Sequence, residues 1–190
     1  MIFAQKNEWR SKKSVVIHDL GSGSGDGLRA IANWGRRRGH SLQITGLDAN
    51  RHIVDYARKE AADFPEIDFE VTNVFDSAYQ LDGVDVATFN LCLHHFSDQD
   101  ILELLQKCKT GEVKAILIND LHRHWLAYYL FMLVCIVFRS PKIARLDGLL
   151  SIRKGFKKSE LLNIAQQLAP SKIFLRWRWA FRYQFILLFD

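Results

Sequence analysis

Apolar and polar positions fall into short alternating blocks along this chain. Apolar runs at 15–20, 42–48, 67–73, 84–91 and 114–121 have the length of buried strands, and the third alternates in strand fashion. Between most of these runs the apolar positions recur at helical spacing. One helix is expected over 28–38, closed by Gly39. A second starts from Asn50 as its cap and runs to about Asp63, with Pro65 beyond. A third covers 101–107, with Asp98 as its cap. Strands separated by helices of this length predict βαβ units, hence a parallel sheet with right-handed crossovers. Further on, 159–168 reads as a helix with Ser159 as cap. Two strand-like runs follow, 172–179 and 182–189, broken at Ala180-Phe181 as by a tight reversal. No repeat, linker or low-complexity segment interrupts the pattern, so residues 1–190 read as one α/β domain.

One block breaks the alternation. Residues 125–138, WLAYYLFMLVCIVF, are apolar on every helical face. A membrane span needs roughly 17–25 residues, so this stretch is too short, and Arg123 and Arg139 bracket it. It is expected as an apolar helix inserted at about 124–145. A helix apolar all round must hide every face. Burial against the sheet, service as a lid over a hydrophobic substrate, or contact with a membrane surface or a partner would each do so.

Composition narrows the class. A chain of 190 residues with 48% hydrophobic content can build one real core. Lys and Arg number 26 against 21 Asp and Glu, a formal charge of +5. The basic cluster Arg36-Arg37-Arg38 follows an amphipathic pattern and reads as a solvated helix end. No aromatic-plus-basic recognition motif is present, so nucleic acid is not an expected partner. Cys92, Cys108 and Cys135 make an odd count with no C-x-x-C, and read as buried thiols of a reducing compartment. The opening MIFAQKNEWRSKK lacks the apolar core of a signal peptide. A cytoplasmic protein, with membrane association through 125–138 as the variant, is the expectation.

The chemistry concentrates in VVIHDLGSGSGDG, residues 15–27. An apolar run ends in Asp19, and Gly21, Gly23 and Gly25 follow at alternate positions. Such a loop between strand and helix brings backbone N–H groups close to a ligand. A dinucleotide fingerprint is G-x-G-x-x-G. Counted from Gly21, its sixth position is Asp26, so that pattern fails. What stands here, D-x-G-x-G-x-G, resembles the first motif of class I S-adenosylmethionine (SAM)-dependent methyltransferases. The resemblance extends from Val15 to Phe189. It implies a Rossmann-like, seven-stranded, mostly parallel sheet with helices on both faces and a C-terminal antiparallel hairpin, with SAM as cofactor.

The resemblance also implies roles. Asp19 would hold the methionine amino group, an anion facing an ammonium. Gly21, Ser22, Gly23 and Gly25 would form the cofactor loop. Asp48, at the end of the second run, would accept the ribose hydroxyls, with Ala49 near the adenine. Asn73 stands where the family often has Asp, and its amide oxygen would meet the adenine amino group while Val74 offers its N–H. Asn90 and Leu91, in TFNLCLHHFSD, would border the methionine end. This segment is similar to the fourth motif of small-molecule methyltransferases. It is unlike the (Asn/Asp)-Pro-Pro-(Tyr/Phe) pattern that methylates amino groups of DNA bases or glutamine.

His94 and His95 follow directly, and adjacent residues at a helix start point in different directions, so one of them at most faces the site. The run NDLHRH, 119–124, then an apolar helix and D-G-x-x-S-x-R-x-x-F at 147–156, is similar to methyltransferases of polyketide- or phenol-like products. A phenol is a poor nucleophile near neutral pH without a base. His122, His124 and His95 are the candidates. His122 and His124 lack a third ligand at metal spacing, so no metal is expected. The acceptor is read as small and hydrophobic. Two other classes stay open, a nicotinamide-dependent oxidoreductase of the same fold and a non-catalytic SAM-fold partner subunit. Many relatives carry an added N-terminal helix over the substrate side. Only 14 residues precede the first strand here, enough for a short helix at best.

Overall fold

The computed structural model describes residues 14–190. The expected short N-terminal helix falls in residues 1–13, outside them. Seven strands, β1 (Val15–Leu20), β2 (Leu42–Asp48), β3 (Ile67–Val71), β4 (Val86–Asn90), β5 (Ala115–Leu121), β6 (Lys172–Arg178) and β7 (Arg182–Leu188), form one sheet in the order β3-β2-β1-β4-β5-β7-β6. β1 to β5 run parallel, and β7 is antiparallel to both β5 and β6. The hairpin between β6 and β7 turns at Trp179–Phe181, where Ala180 and Phe181 both take left-handed φ (63° and 53°).

Helices cover both faces. α1 (Asp26–Arg38) and α2 (Arg51–Glu60) bury Leu28, Ala32, Val54 and Ala57 against Ile17, Ile44 and Phe69 of the strands. On the other face α3 (Asp98–Thr110) and α6 (Lys158–Leu168) bury Ile101, Leu104, Leu161 and Ala165 with Phe89, Ile118 and Phe185. The three cysteines are free and buried. Burial pushes the Cys108 thiol up to about 12, so it is inert.

Residues 72–85, for which no helix was expected, join β3 to β4 as a loop whose Tyr79, Leu81 and Val84 pack into the core. Two cap expectations change. Asp98 does not cap α3. Ser97 does, in a reciprocal capping box with Asp100, because the Ser97-x-x-Asp100 spacing satisfies two orphan N–H groups at once. Ser159 is likewise not a cap but lies inside α6, whose start is closed by Glu160 Oε2 accepting from Lys157 N at 2.8 Å. Asn50 does cap α2, accepting from His52 N at 3.0 Å. The Arg36–Arg38 cluster ends α1, and Arg36 pairs with Glu66.

The apolar insertion is a helical hairpin, α4 (Trp125–Val137) and α5 (Lys142–Lys154), not one helix. Gly148 lets the two approach, since a Cβ there would stand 2.4 Å from the Phe131 ring. The reading of 125–138 as a helix buried on the sheet is overturned. Only Ala127 and Cys135 of α4 are buried. The helix packs on α5 rather than on a sheet whose faces α1, α2, α3 and α6 already occupy.

Candidate active site

The strand order reverses between β1 and β4, and in open α/β sheets a ligand binds beyond the carboxyl ends of the strands at that point. A cleft of about 350 Å³ lies there, walled by Gly21 and Gly23 after β1, Asp48 and Ala49 after β2, and Asn73 and Val74 after β3. Leu91, Cys92 and His95 after β4 complete it.

The glycine loop is held from β2. Gly21 N and Ser22 N both donate to Leu47 O, at 2.8 and 3.0 Å, and Gly23 N donates to Asp48 Oδ2 at 3.1 Å. The other Asp48 oxygen accepts from Asn50 N at 2.9 Å. Asp48 thus pins the loop while facing the cleft. Gly23 has φ 53°, and a Cβ there would meet no protein atom within 4 Å. Its bare backbone therefore faces open cleft. Ser22 Oγ is buried and has no hydrogen-bond partner, an unspent polar atom in the same loop.

Asp19 is nearly fully buried, and Thr88 Oγ1 donates to it at 2.5 Å. Burial raises its carboxyl to about 6, with the Thr88 hydrogen bond pulling the other way. Asn90 Oδ1 accepts from Asn119 Nδ2 at 2.6 Å, which ties β4 to β5, and Leu91 takes φ 55°, a left-handed conformation unusual for leucine. Asn73 Oδ1 accepts from Phe75 N at 3.1 Å, closing a turn. Phe75 and Phe96 meet edge-on at 5.0 Å in the cleft wall, an aromatic surface that no sequence expectation named.

The histidines separate. His95 lines the cleft, and burial first, then His94, lowers its pKa, so it is neutral near neutral pH. His94 turns inward and is buried, its Nδ1 2.7 Å from Asp120 Oδ1, with Asp120 buried too. The carboxylate holds a proton on Nδ1 and leaves the lone pair on Nε2. The two rings lie 4.2 Å apart. His122 Nδ1 accepts from Trp177 Nε1 at 3.3 Å, and His124 Nδ1 caps α4 by accepting from Leu126 N at 3.1 Å. In both, the neutral ring therefore keeps its proton on Nε2. Burial, then His124, lowers the His122 pKa. His124 lines a second cavity, of about 540 Å³, with Arg123, Trp125, Tyr128, Tyr129 and Arg153. Among the described residues no group of three His, Cys, Asp or Glu could hold a metal ion.

The family described as a methyltransferase domain matches residues 17–111, half of the chain, from inside β1 to the end of α3. The chain belongs to the methyltransferase domain family. The match spans Asp19, the glycine loop, Asp48, Asn73 and the histidine pair, so the nicotinamide reading falls away and SAM is the family's cofactor. Among solved structures, this methyltransferase domain is similar to the apo form of the SAM-dependent methyltransferase SibL (18% identity, all of this chain and 53% of that one, TM-score 0.67). It is also similar to the plantazolicin methyltransferase BpumL bound to SAH and a triazolic desmethylPZN analogue (15%, 93% and 77%, 0.71). A third is the CMeT domain of the citrinin polyketide synthase (13%, 92% and 46%, 0.65). At such identities the likeness shows the fold, and this chain spans only about half of SibL. No curated protein sequence matches the chain.

Proposed function

We propose that this chain methylates a small hydrophobic, phenolic or polyketide-like acceptor at oxygen, with SAM as donor. The cleft suits the cofactor: Gly23 has open space before it, Ser22 Oγ lacks a partner, and Asp48 lines the wall, with the buried Asp19 carboxylate two residues before Gly21. Asp19 would hold the ammonium, Asp48 the ribose, and Asn73 with Val74 the adenine edge. The cofactor supplies an already activated methyl group on a sulfonium, so the protein's share is alignment, desolvation and removal of one proton.

The observation that carries the oxygen reading is His95 at the wall of the cleft, with burial lowering its pKa. A phenol must lose its proton to attack. His95, neutral near neutral pH, would take it. The buried Asp120–His94 pair, whose ring lies 4.2 Å from that of His95, would position it. His122 and His124 accept from Trp177 Nε1 and Leu126 N, so either would have to release that contact to act as the base. The 3-10 turn Leu93–His95 packs on α5, whose Ile152 and Arg153 wall the second cavity. That cavity would take the acceptor's apolar body. Similarity to a plantazolicin methyltransferase and to the CMeT domain of a polyketide synthase supports an acceptor of this kind.

SAH release on a panel of alkylphenols tests the reading. His95→Gln should lower kcat by about 10²–10⁴, the range for general acid–base catalysis, with SAM affinity unchanged. The double variant His122→Ala, His124→Ala should keep the wild-type pH profile. Turnover on amines alone, or full activity in His95→Gln, would defeat it.

A further inference from the structure

The cleft leaves the chain's most conspicuous surface unexplained. Trp125, Tyr129, Leu133, Val137 and Phe138 of α4 and its end are 55–76% exposed, and Ile143 of α5 is 83% exposed. On α4 the exposed positions 126, 130, 133 and 137 recur at helical spacing, so they form one stripe. Leu146 and Leu150 continue it on α5. Of 19 large apolar residues exposed among the described residues, 12 fall within 125–150, so this is one continuous patch and not scatter.

A second feature abuts it. The end of β6 and the turn after it read Arg176-Trp177-Arg178-Trp179, and Trp179 is 87% exposed. An aromatic chain joins this turn to the start of α4. Trp177 meets Phe181 at 5.8 Å, Phe181 stacks on His124 at 5.5 Å, and His124 stacks on Trp125 at 5.7 Å.

Charge tells what such a surface fits. Residues 1–122 carry 14 Lys and Arg against 18 Asp and Glu, whereas residues 123–190 carry 12 against 3. The cations of the hairpin, Arg139, Lys142 and Arg145, stand at its helix ends and rim, and Arg123, paired with Glu160, precedes it, while α4 itself has no charge over 13 residues. From this we infer that the α4–α5 hairpin and the β6–β7 turn dock on the surface of an anionic lipid bilayer. A bilayer offers both layers of this pattern, anionic headgroups for the rim cations and hydrocarbon for the uncharged centre, with tryptophans at the boundary. A second copy of the chain would set cationic rim against cationic rim. An acidic protein would have no cations to pair with across the middle of the stripe. No helix among the described residues is long and apolar enough to cross a membrane, and α4 spans about 20 Å, so it lies in the interface.

Trp125 and Tyr129 belong both to this face and to the second cavity. A lipid-soluble acceptor could therefore pass from the bilayer to the site, a consequence that rests on the methyltransferase reading. The docking itself does not, and its test needs no turnover. The full chain is sedimented with vesicles of phosphatidylcholine alone or mixed with phosphatidylglycerol, at low and high ionic strength. Partitioning should be at least about tenfold stronger to the anionic vesicles and should weaken with salt. The double variant Arg139→Glu, Lys142→Glu should lose at least about tenfold of it. The double variant Val137→Ser, Phe138→Ser should lose binding to both vesicle types. Melting temperature and SAM affinity, read on the same samples, should stay at wild-type values. Equal partitioning to both vesicle types, anionic binding untouched by the charge reversal, a stable dimer in light scattering, or capture by an acidic carrier protein without vesicle binding would each overturn the proposal.

Discussion

Asp19→Asn should make the ligand-free protein more stable and cost it its cofactor. The folded carboxyl stands at about 6, above the ordinary Asp value of about 3.9, because burial disfavours its charge. The sign follows from the direction of that shift. Below about pH 4 the group is protonated in both states and adds no cost. As pH rises from about 4 to about 6 the unfolded chain ionises first, and stability falls by about 1.4 kcal/mol per unit. Above about 6 the cost is constant at about 3 kcal/mol. Asparagine keeps an oxygen to accept from Thr88 and carries no charge, but its buried amide N–H groups need partners, which costs about 1 kcal/mol. The variant should therefore gain about 2 kcal/mol near pH 7 and lose that advantage near pH 4. SAM affinity of the wild type should fall about tenfold between pH 7 and pH 5, as the carboxylate that would meet the ammonium takes up its proton. The variant should bind SAM weakly and without that step, leaving only the smaller dependence of His95. Thermal melts over this pH range and calorimetry with SAM read both effects. A variant that melts below the wild type near pH 7 and keeps SAM affinity would refute the burial argument and the ammonium role together.

The glycines of the loop should divide by what lies before them. Gly23→Ala meets no protein atom, so circular dichroism should show a folded chain strained by about 1–2 kcal/mol, with SAM binding lost in calorimetry. Gly25→Ala would place its Cβ 2.5 Å from the Phe69 ring and should instead lower the melting temperature sharply. Asp48→Ala should weaken SAM binding about ten- to a hundredfold by removing a charged acceptor and freeing Gly23 N, and Asp48→Asn should lose less. An Asp48→Ala variant with wild-type affinity would place the ribose elsewhere.

What the sequence made legible was local. Apolar runs and glycine spacing act over a few residues, so all seven strands, the loop and the αL closure at Gly39 follow from the string. What was missed at the site depended on neighbours distant in the chain. The His94–Asp120 pair spans 26 residues and exists because β4 and β5 are adjacent, with Asn90 opposite Asn119. That register was available as a signal, since it sets the residues after Asn90 against those after Asn119. The exposure of α4 was illegible for another reason. Hydrophobicity predicts that a surface will be covered, but not that the cover comes from the same chain.

The formal charge of +5 conceals an opposition that the fold arranges in space. The acidic part of the chain builds the cleft, where Asp48 in the wall and the buried Asp19 at the end of β1 suit a cofactor that is cationic at both sulfur and amine. The basic part builds the hairpin and the β6–β7 turn, where cations flank an uncharged stripe. Spread evenly, the same charges would weaken both surfaces, since cations near the cleft repel the sulfonium and carboxylates near the stripe repel anionic headgroups. Raising salt should therefore weaken vesicle binding far more than SAM binding. Arg139 and Lys142 are exposed and screened within about a Debye length, whereas Asp19, the proposed partner of the ammonium, is buried.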